Sequence, residues 1–425
     1  MNNFELLNAA VIASDSFFIT VAAIMLARPL AFQIGLTDKP CSRKKHQGEI
    51  PLIGGLAIFF CIAYIILIHN VINPVNIAFL AAVSIIVVTG VIDDFKGLSV
   101  KPRIVAEIVA TLIMIRWGGV EITSLGDLFG LGEIQLGYFS TLFTVFAVVG
   151  GINAFNMIDG IDGLAGGISF TIYFLLSLLC IVYKSSESLQ LCFILAPATA
   201  AFLLCNFPIQ GREKALTFLG DAGSMLFGFT ICWLVISASQ GDQKIISPAT
   251  VLWLIAAPIL DSFSIIIRRI RKGRSPFAPD REHFHHILQV AGFGKYSILF
   301  ILLGFGAILP VTGLIADIVF NIPESLIFYL FIIVFSLYNW GMSHAWMLVK
   351  VARYLREDTI DRRKSNSDRR RTDISPLPFA DRRISERRSG IDRRHQATRK
   401  EENSFKKVIP VLKSLGKLLK LKMLD

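Results

Sequence analysis

Residues 74–103 read PVNIAFLAAVSIIVVTGVIDDFKGLSVKPR. An apolar run of about the length needed to cross the ~30 Å hydrocarbon core of a bilayer ends in two adjacent carboxylates, Asp93 and Asp94. Lys96, Lys101 and Arg103 follow at once. A membrane helix that delivers acids into a basic loop is the unit from which the rest of the chain can be read. Similar apolar segments fall near 10–34, 52–69, 104–117, 138–158, 163–183, 188–206, 223–239, 246–268, 297–317 and 323–343. The expected fold is therefore an all-α polytopic membrane protein of about 11 transmembrane helices.

Composition agrees. Of 425 residues, 53% are hydrophobic and only 18% charged, against ~25% charged in soluble domains. That balance excludes a soluble globule, a disordered chain and a disulfide scaffold. The six cysteines, Cys41, Cys61, Cys180, Cys192, Cys205 and Cys232, show no paired spacing and read as small buried hydrophobes. No basic segment precedes the first apolar stretch, so that stretch is expected to remain as a helix.

The net charge of +11 is unevenly placed: residues 344–425 carry +12 and the rest carry −1. Loops after odd-numbered helices hold sixteen Lys and Arg, whereas loops after even-numbered helices hold Lys184 and Lys244, with Arg116 at a helix edge. Because basic loops stay cytoplasmic, the N-terminus is expected outside and the C-terminus in the cytoplasm. The chain divides into a transmembrane catalytic domain, 1–345, and a basic cytoplasmic tail. The tail begins with a disordered stretch, 346–403, that repeats acid–Arg–Arg units. Residues 404–425 follow as a basic amphipathic helix on the anionic inner leaflet.

Polar residues gather where the odd loops begin and end. After Asp93 and Asp94 come Asn153, Asn156, Asp159 and Asp162 in GINAFNMIDGIDGLAGG. Steps of three on a 3.6-residue helix cannot bring all four to one face. With Gly160, Gly163, Gly166 and Gly167 among them, an unwound segment lining a polar cavity is expected. Asp221 stands in TFLGDAGS, where Gly220 and Gly223 are expected to leave backbone amides open to phosphate oxygens. The last loop, RRIRKGRSPFAPDREHFHHIL, combines many cations with His283, His285 and His286. Asp261, inside the ninth helix, reads either as a functional group or as the partner of a buried donor. Carboxylates without cysteine select hard cations, so Mg²⁺, or Mn²⁺, is expected. Arg, Lys and His around such an ion describe a site for a phosphate-bearing substrate. An ion-coupled secondary transporter is the rival reading, but its acids would sit near the midplane between internal repeats. Here they sit at helix ends, and no repeat is visible.

Four ordered motifs, Asp93-Asp94, Asn153 to Leu164, Gly220 to Ser224 and Ser275 to Leu288, resemble those of the polyprenyl-phosphate N-acetylhexosamine-1-phosphate transferases, over residues 35–345. The resemblance implies transfer of a sugar 1-phosphate from a UDP-sugar to undecaprenyl phosphate with release of UMP, the step that begins O-antigen and related glycans. It implies Asp221 as the principal magnesium ligand. Asp93 and Asp94 are implied as a pair, one serving as base and the other, Asp94, as a metal-site partner. Asn153, Asn156, Asp159 and Asp162 are implied to shape the nucleotide side of the cleft, with Asp159, Asp162 and His283 counted as catalytic. Phe218 would stack on uracil, Arg281, His283, His285 and His286 would grip sugar and diphosphate, and Lys45 and His46 would contact phosphate. Gly97 stands where the family often carries a third Asp, which leaves that carboxylate without a counterpart. The pattern His283-Phe284-His285-His286 matches the hexosamine branch, so UDP-GlcNAc is the expected donor, with another UDP-N-acetylhexosamine as the alternative.

The implied setting is the bacterial inner membrane with the active site facing the cytoplasm. No nucleic-acid partner is expected, and a homodimer is compatible with this reading. The acceptor phosphate, with a second pKa of ~6, is already mostly dianionic at neutral pH. Direct attack on the β-phosphorus is therefore favoured over a covalent aspartyl-phosphate.

Overall fold

The computed structural model describes residues 3–39, 48–69, 72–183, 190–207, 215–242, 244–273, 275 and 283–344. Lys45, His46, Arg281, Cys41 and the whole tail from 346 onward lie outside the described residues. The described elements are α1 (Asn3–Ile34), β1 (Thr37–Asp38), β2 (Ile50–Pro51), α2 (Gly54–Ile68), α3 (Pro74–Lys96), α4 (Val100–Arg116), α5 (Ser140–Ile158) and α6 (Leu164–Tyr183). They continue as α7 (Cys192–Asn206), α8 (Gly220–Ser239), α9 (Pro248–Leu254), α10 (Ala256–Arg271), α11 (Phe284–Ala291) and α12 (Lys295–Leu314). The last is α13 (Glu324–His344).

Helices occupy all eleven apolar segments, yet they are not equivalent. Seven are long and apolar enough to cross a membrane, or up to eight if α9 and α10, bent by 81° at Ile255, form one span. The helices α2 and α7 have 15 residues and α4 has 17. At 1.5 Å per residue these rise only ~22–26 Å, short of a full hydrocarbon core. The protein is thus an all-α, multi-pass membrane protein.

Local chemistry sets the helix ends. Asn73 starts α3 by accepting from the backbone N–H of Asn76 at 2.7 Å, with Pro74 in the first turn. Gly97 stops it in the left-handed region, φ 64°, and its N–H returns to Asp93 O at 2.7 Å. This accounts for glycine where the resemblance would place a third carboxylate: the position closes a helix.

At the centre stands α8, almost wholly buried. Its neighbours approach it backbone to backbone, as small residues allow inside membranes. A Cβ on Gly55 of α2 would lie 2.3 Å from Gly223 N, and one on Gly90 of α3 would lie 2.3 Å from Ala222 Cα. On the far side, a Cβ on Gly228 would lie 2.6 Å from Ile152 Cα of α5. Further along α8, Trp233 is fully buried and meets Phe79 edge to face at 5.2 Å. The short antiparallel pair β1–β2 (Thr37↔Pro51) joins the entry of α2 to that of α8, because Pro51 O accepts from Phe218 N at 2.9 Å.

Gly90→Ala is expected to cost about 1–3 kcal/mol by overpacking and to push the first turn of α8 away from α3. A lowered thermal midpoint of the detergent-solubilised protein, with activity reduced more than stability alone explains, is the expected result.

Candidate active site

The first turn of α8 is held from outside its own chain segment. Asp94, at the end of α3, accepts from Asp221 N at 2.8 Å through Oδ1 and from Ala222 N at 3.2 Å through Oδ2. These are two of the amides that a helix start leaves without intrahelical partners, and a carboxylate there also meets the positive end of the helix dipole. Gly220 makes room: its φ is +74°, and a Cβ would lie 2.6 Å from Asp94 Oδ2. The expected open anion site at Gly220–Gly223 is therefore corrected. The amides are taken by Asp94, and Gly223 is packed against α2.

Asp93, beside it, turns to different work. Its Oδ1 accepts from Leu98 N at 2.6 Å, and its Oδ2 pairs with Arg103 Nη1 at 2.8 Å. Both oxygens of this buried carboxylate brace the α3–α4 turn, so acting as a base would mean breaking an ion pair.

Asp221, half-buried, accepts from Asn156 Nδ2 at 3.1 Å. Asn156 and Asn153 lie on regular helix in α5, and unwinding begins only at Asp159. Asn153 donates both amide hydrogens, to Glu107 Oε2 and to Val149 O, each at 2.8 Å. Its carbonyl oxygen takes part in neither bond. Glu107, in α4, is fully buried, and its Oε1 has no hydrogen-bond partner. A lone glutamate in a moderately apolar helix gave no sequence pattern to single it out.

The turn after α5 is fixed by Asn206, another residue that sequence reasoning passed over. Asn206 Oδ1 accepts from Gly163 N at 2.7 Å, and its Nδ2 donates to Thr217 O at 3.0 Å, joining the turn to the approach of α8. Asp159 opens to solvent on one side while protein crowds it on the others. That crowding, followed by the negative charges of Asp221, Asp162 and Asp94, pushes its carboxyl up to about 7. Phe218, half-buried, lies three residues before Asp221, and its O accepts from Gly54 N at 3.0 Å.

The histidine segment packs against the same turn. A Cβ on Gly160 would lie 2.8 Å from His285 Cε1. His285 is buried; desolvation first, then His286 and His283, lower its pKa to about 3, so it is a neutral ring. His283 stacks on His285 with ring centres 5.5 Å apart, and His286 lies 4.1 Å from His285 and bonds Gln289 at 3.2 Å. Asp261 resolves as a partner for this segment: its Oδ2 meets His283 Nδ1 at 2.9 Å, and its Oδ1 accepts from Phe284 N at 3.2 Å.

The structure thus gathers Asp94, Asn156, Asp159, Asp162 and Asp221 at one end of the bundle, with the histidines beside them. Among the described residues, no three carboxylates, imidazoles or thiolates converge closely enough to hold a metal ion by themselves. Four carboxylates, Asp94, Asp159, Asp162 and Asp221, of which Asp159 feels the charge of the other three, still suit a cation that draws its other ligands from water or from a phosphorylated substrate.

Fold and site together define a membrane-embedded enzyme with acidic residues, flanked by histidines, gathered at one end of a helical bundle. A family model described as Glycosyl transferase family 4 matches residues 76–239, which includes α3, α5, α8 and three of the four motifs. The chain is 38% identical over 342 residues to the undecaprenyl-phosphate alpha-N-acetylglucosaminyl 1-phosphate transferase of Yersinia pestis, covering 80% of this chain and 92% of that one. It is 37% identical over 341 residues to the enzyme of the same name from Escherichia coli strain K12, with the same coverage. With the Haemophilus influenzae enzyme of that name it shares 35% over 346 residues, 80% of this chain and 97% of that one. The protein belongs to glycosyl transferase family 4.

Removing the buried acceptor for Asn153 tests the α4 brace. Glu107→Leu should lose about 1–3 kcal/mol of stability, because the Asn153 amide is left unpaired in apolar surroundings. Glu107→Gln should retain the bond through its Oε1 and stay near wild-type stability in denaturant or thermal unfolding.

Proposed function

We propose that the protein transfers N-acetylglucosamine 1-phosphate from UDP-GlcNAc to undecaprenyl phosphate, releasing UMP, at the cytoplasmic face of the bacterial inner membrane. The observation that carries this reading is the junction of Asp94, Asp221 and Asn156 in a chain whose relatives bear that enzyme's name over four-fifths of its length. The distribution of Lys and Arg among the loops supports a cytoplasmic cleft, an external N-terminus and eleven crossings, the shorter helices included. Relatives named as transferases do not favour an ion-coupled transporter.

Mg²⁺ fits this cleft as the resident cation. Asp221 would hold it, and Asp94, committed to two amides, would reach it only through its remaining lone pairs. Bound there with donor phosphate oxygens, the ion would offset repulsion between two phosphorylated substrates.

The chain's own residues supply positioning. Asn156 holds the Asp221 carboxylate in place, and Asn153 offers an acceptor to the nucleotide side. Phe218 provides a ring for uracil, while His283, His285 and His286 border the diphosphate. His285, being neutral, orients by hydrogen bonding without adding charge. An oxygen of the dianionic lipid phosphate attacks the β-phosphorus, the bond to the bridging oxygen breaks, and UMP leaves with that oxygen. Proton removal by Asp93 is unnecessary in this scheme, in keeping with its ion pair to Arg103.

Membranes containing the protein, given labelled UDP-GlcNAc, undecaprenyl phosphate and Mg²⁺, should yield labelled lipid and UMP. Asp221→Asn and EDTA should each remove the product by at least about 100-fold. Turnover only with a different UDP-N-acetylhexosamine would replace the donor, and UMP released stoichiometrically without acceptor would replace direct attack by a covalent route.

The cation requirement should also depend on pH. A carboxyl raised to about 7 at Asp159 keeps a proton in the metal-free cluster below neutrality, and a cation must displace it. The Mg²⁺ concentration giving half-maximal rate should therefore fall as pH rises from about 6 to 8 and level off above that.

A further inference from the structure

The group that holds His283 is itself held from a distant part of the chain. Asp261 belongs to α10, 22 residues before His283, and its Oδ1 accepts a third hydrogen bond, from Tyr338 Oη at 3.1 Å. Tyr338 lies in the last described helix, α13. Its ring stacks on Phe305 of α12 at 5.7 Å and meets Phe284 edge-on at 5.9 Å. The carboxylate thus receives Phe284 N and Tyr338 Oη on one oxygen and His283 on the other, in a nearly closed environment. Two aromatic rings, Phe305 and Phe284, fix the direction from which the phenol arrives.

We propose that Tyr338 and Asp261 are positioning residues for the transfer reaction, which keep Nδ1–H of His283 on Asp261 so that Nε2 is the nitrogen that faces the substrate and, when it carries a proton, donates to a phosphate oxygen. The proposal rests on the transferase reading for its substrate, though not for its geometry. An ionised carboxylate accepts only. The nitrogen facing Asp261 Oδ2 must therefore carry a proton, and Nε2 donates to a phosphate oxygen only when it is protonated as well. The bond from Tyr338 keeps Oδ1 from swinging toward the imidazole and holds the plane of the carboxylate. In this way α13, which contributes nothing to the four sequence motifs, sets the chemistry of the last of them.

Two measurements on the full-length protein test this. In protein labelled with ¹⁵N-histidine, the His283 resonances, identified by their loss in His283→Gln, should show a protonated Nδ1. In Asp261→Asn, whose amide can donate to the ring, the proton should move to Nε2. A neutral Nε2–H ring in the unaltered protein would overturn the proposal, whatever the enzyme's activity. In the second, Tyr338→Phe, which removes one oxygen and keeps the ring packing, should lower kcat about tenfold with little change in the KM for the UDP-sugar. In a His283→Ala background the same change should cost less than about twofold, because Tyr338 acts through His283. An equal loss in both backgrounds, or no loss in either, would overturn the proposal. Failure of the unaltered protein to turn over any UDP-sugar would instead remove the transferase reading, leaving the tautomer measurement to decide the geometry.

Discussion

The contact on which the site depends is a carboxylate placed across the start of a helix. Asp94 accepts from the second and third amides of α8, two of the donors that a helix start leaves without intrahelical partners. Once this bond is made, α8 can be buried along almost its whole length, and Asp221, whose own amide is one of the two donors, stands at a defined height beside Asp94. A carboxylate that caps a neighbour's helix therefore also spaces two acids for chemistry. Gly220, with positive φ and no side chain, is the condition that allows the approach.

The remainder of the cleft follows a similar economy, in which each polar group is fixed by another that is already buried. Asn156 holds Asp221, Glu107 turns Asn153, Asn206 ties the turn after α5 to the approach of α8, and Asp261 holds His283. Solvated side chains would give such positions only loosely, whereas inside the bundle leaving a donor without an acceptor carries a free-energy cost that favours these pairings. The acids come to rest at one end because α3 and α5 finish there and α8 starts there, so their side chains can converge without crossing the apolar interior.

Much of this was legible beforehand, and the reason is locality. Hydrophobic runs recur at a length fixed by bilayer thickness, and every one of the eleven segments carries a helix. The catalytic motifs are short, so Asp93-Asp94, the Asn153–Asp162 series, Asp221 and the histidines could be singled out, and the structure brings most of them together. The amides at Gly220–Gly223 were misjudged because glycine marks both an open anion site and a close helix contact, and the difference lies in what approaches from elsewhere. Glu107, Asn206 and Tyr338 had no pattern at all: each is a single polar residue among apolar neighbours, and only its partner gives it meaning.

By itself the amino-acid sequence determined an all-helical membrane protein, the order of its motifs and the chemistry those residue types can support, because apolar length and residue type act locally along the chain. The division of labour among the motif residues was decided only by tertiary structure. Asp93 and Asp94 are adjacent in sequence, yet one braces a turn against Arg103 while the other caps α8. Asp93 finds its partners, Leu98 and Arg103, within ten residues, whereas Asp94 meets α8 across 127 positions, a relation that no local pattern encodes.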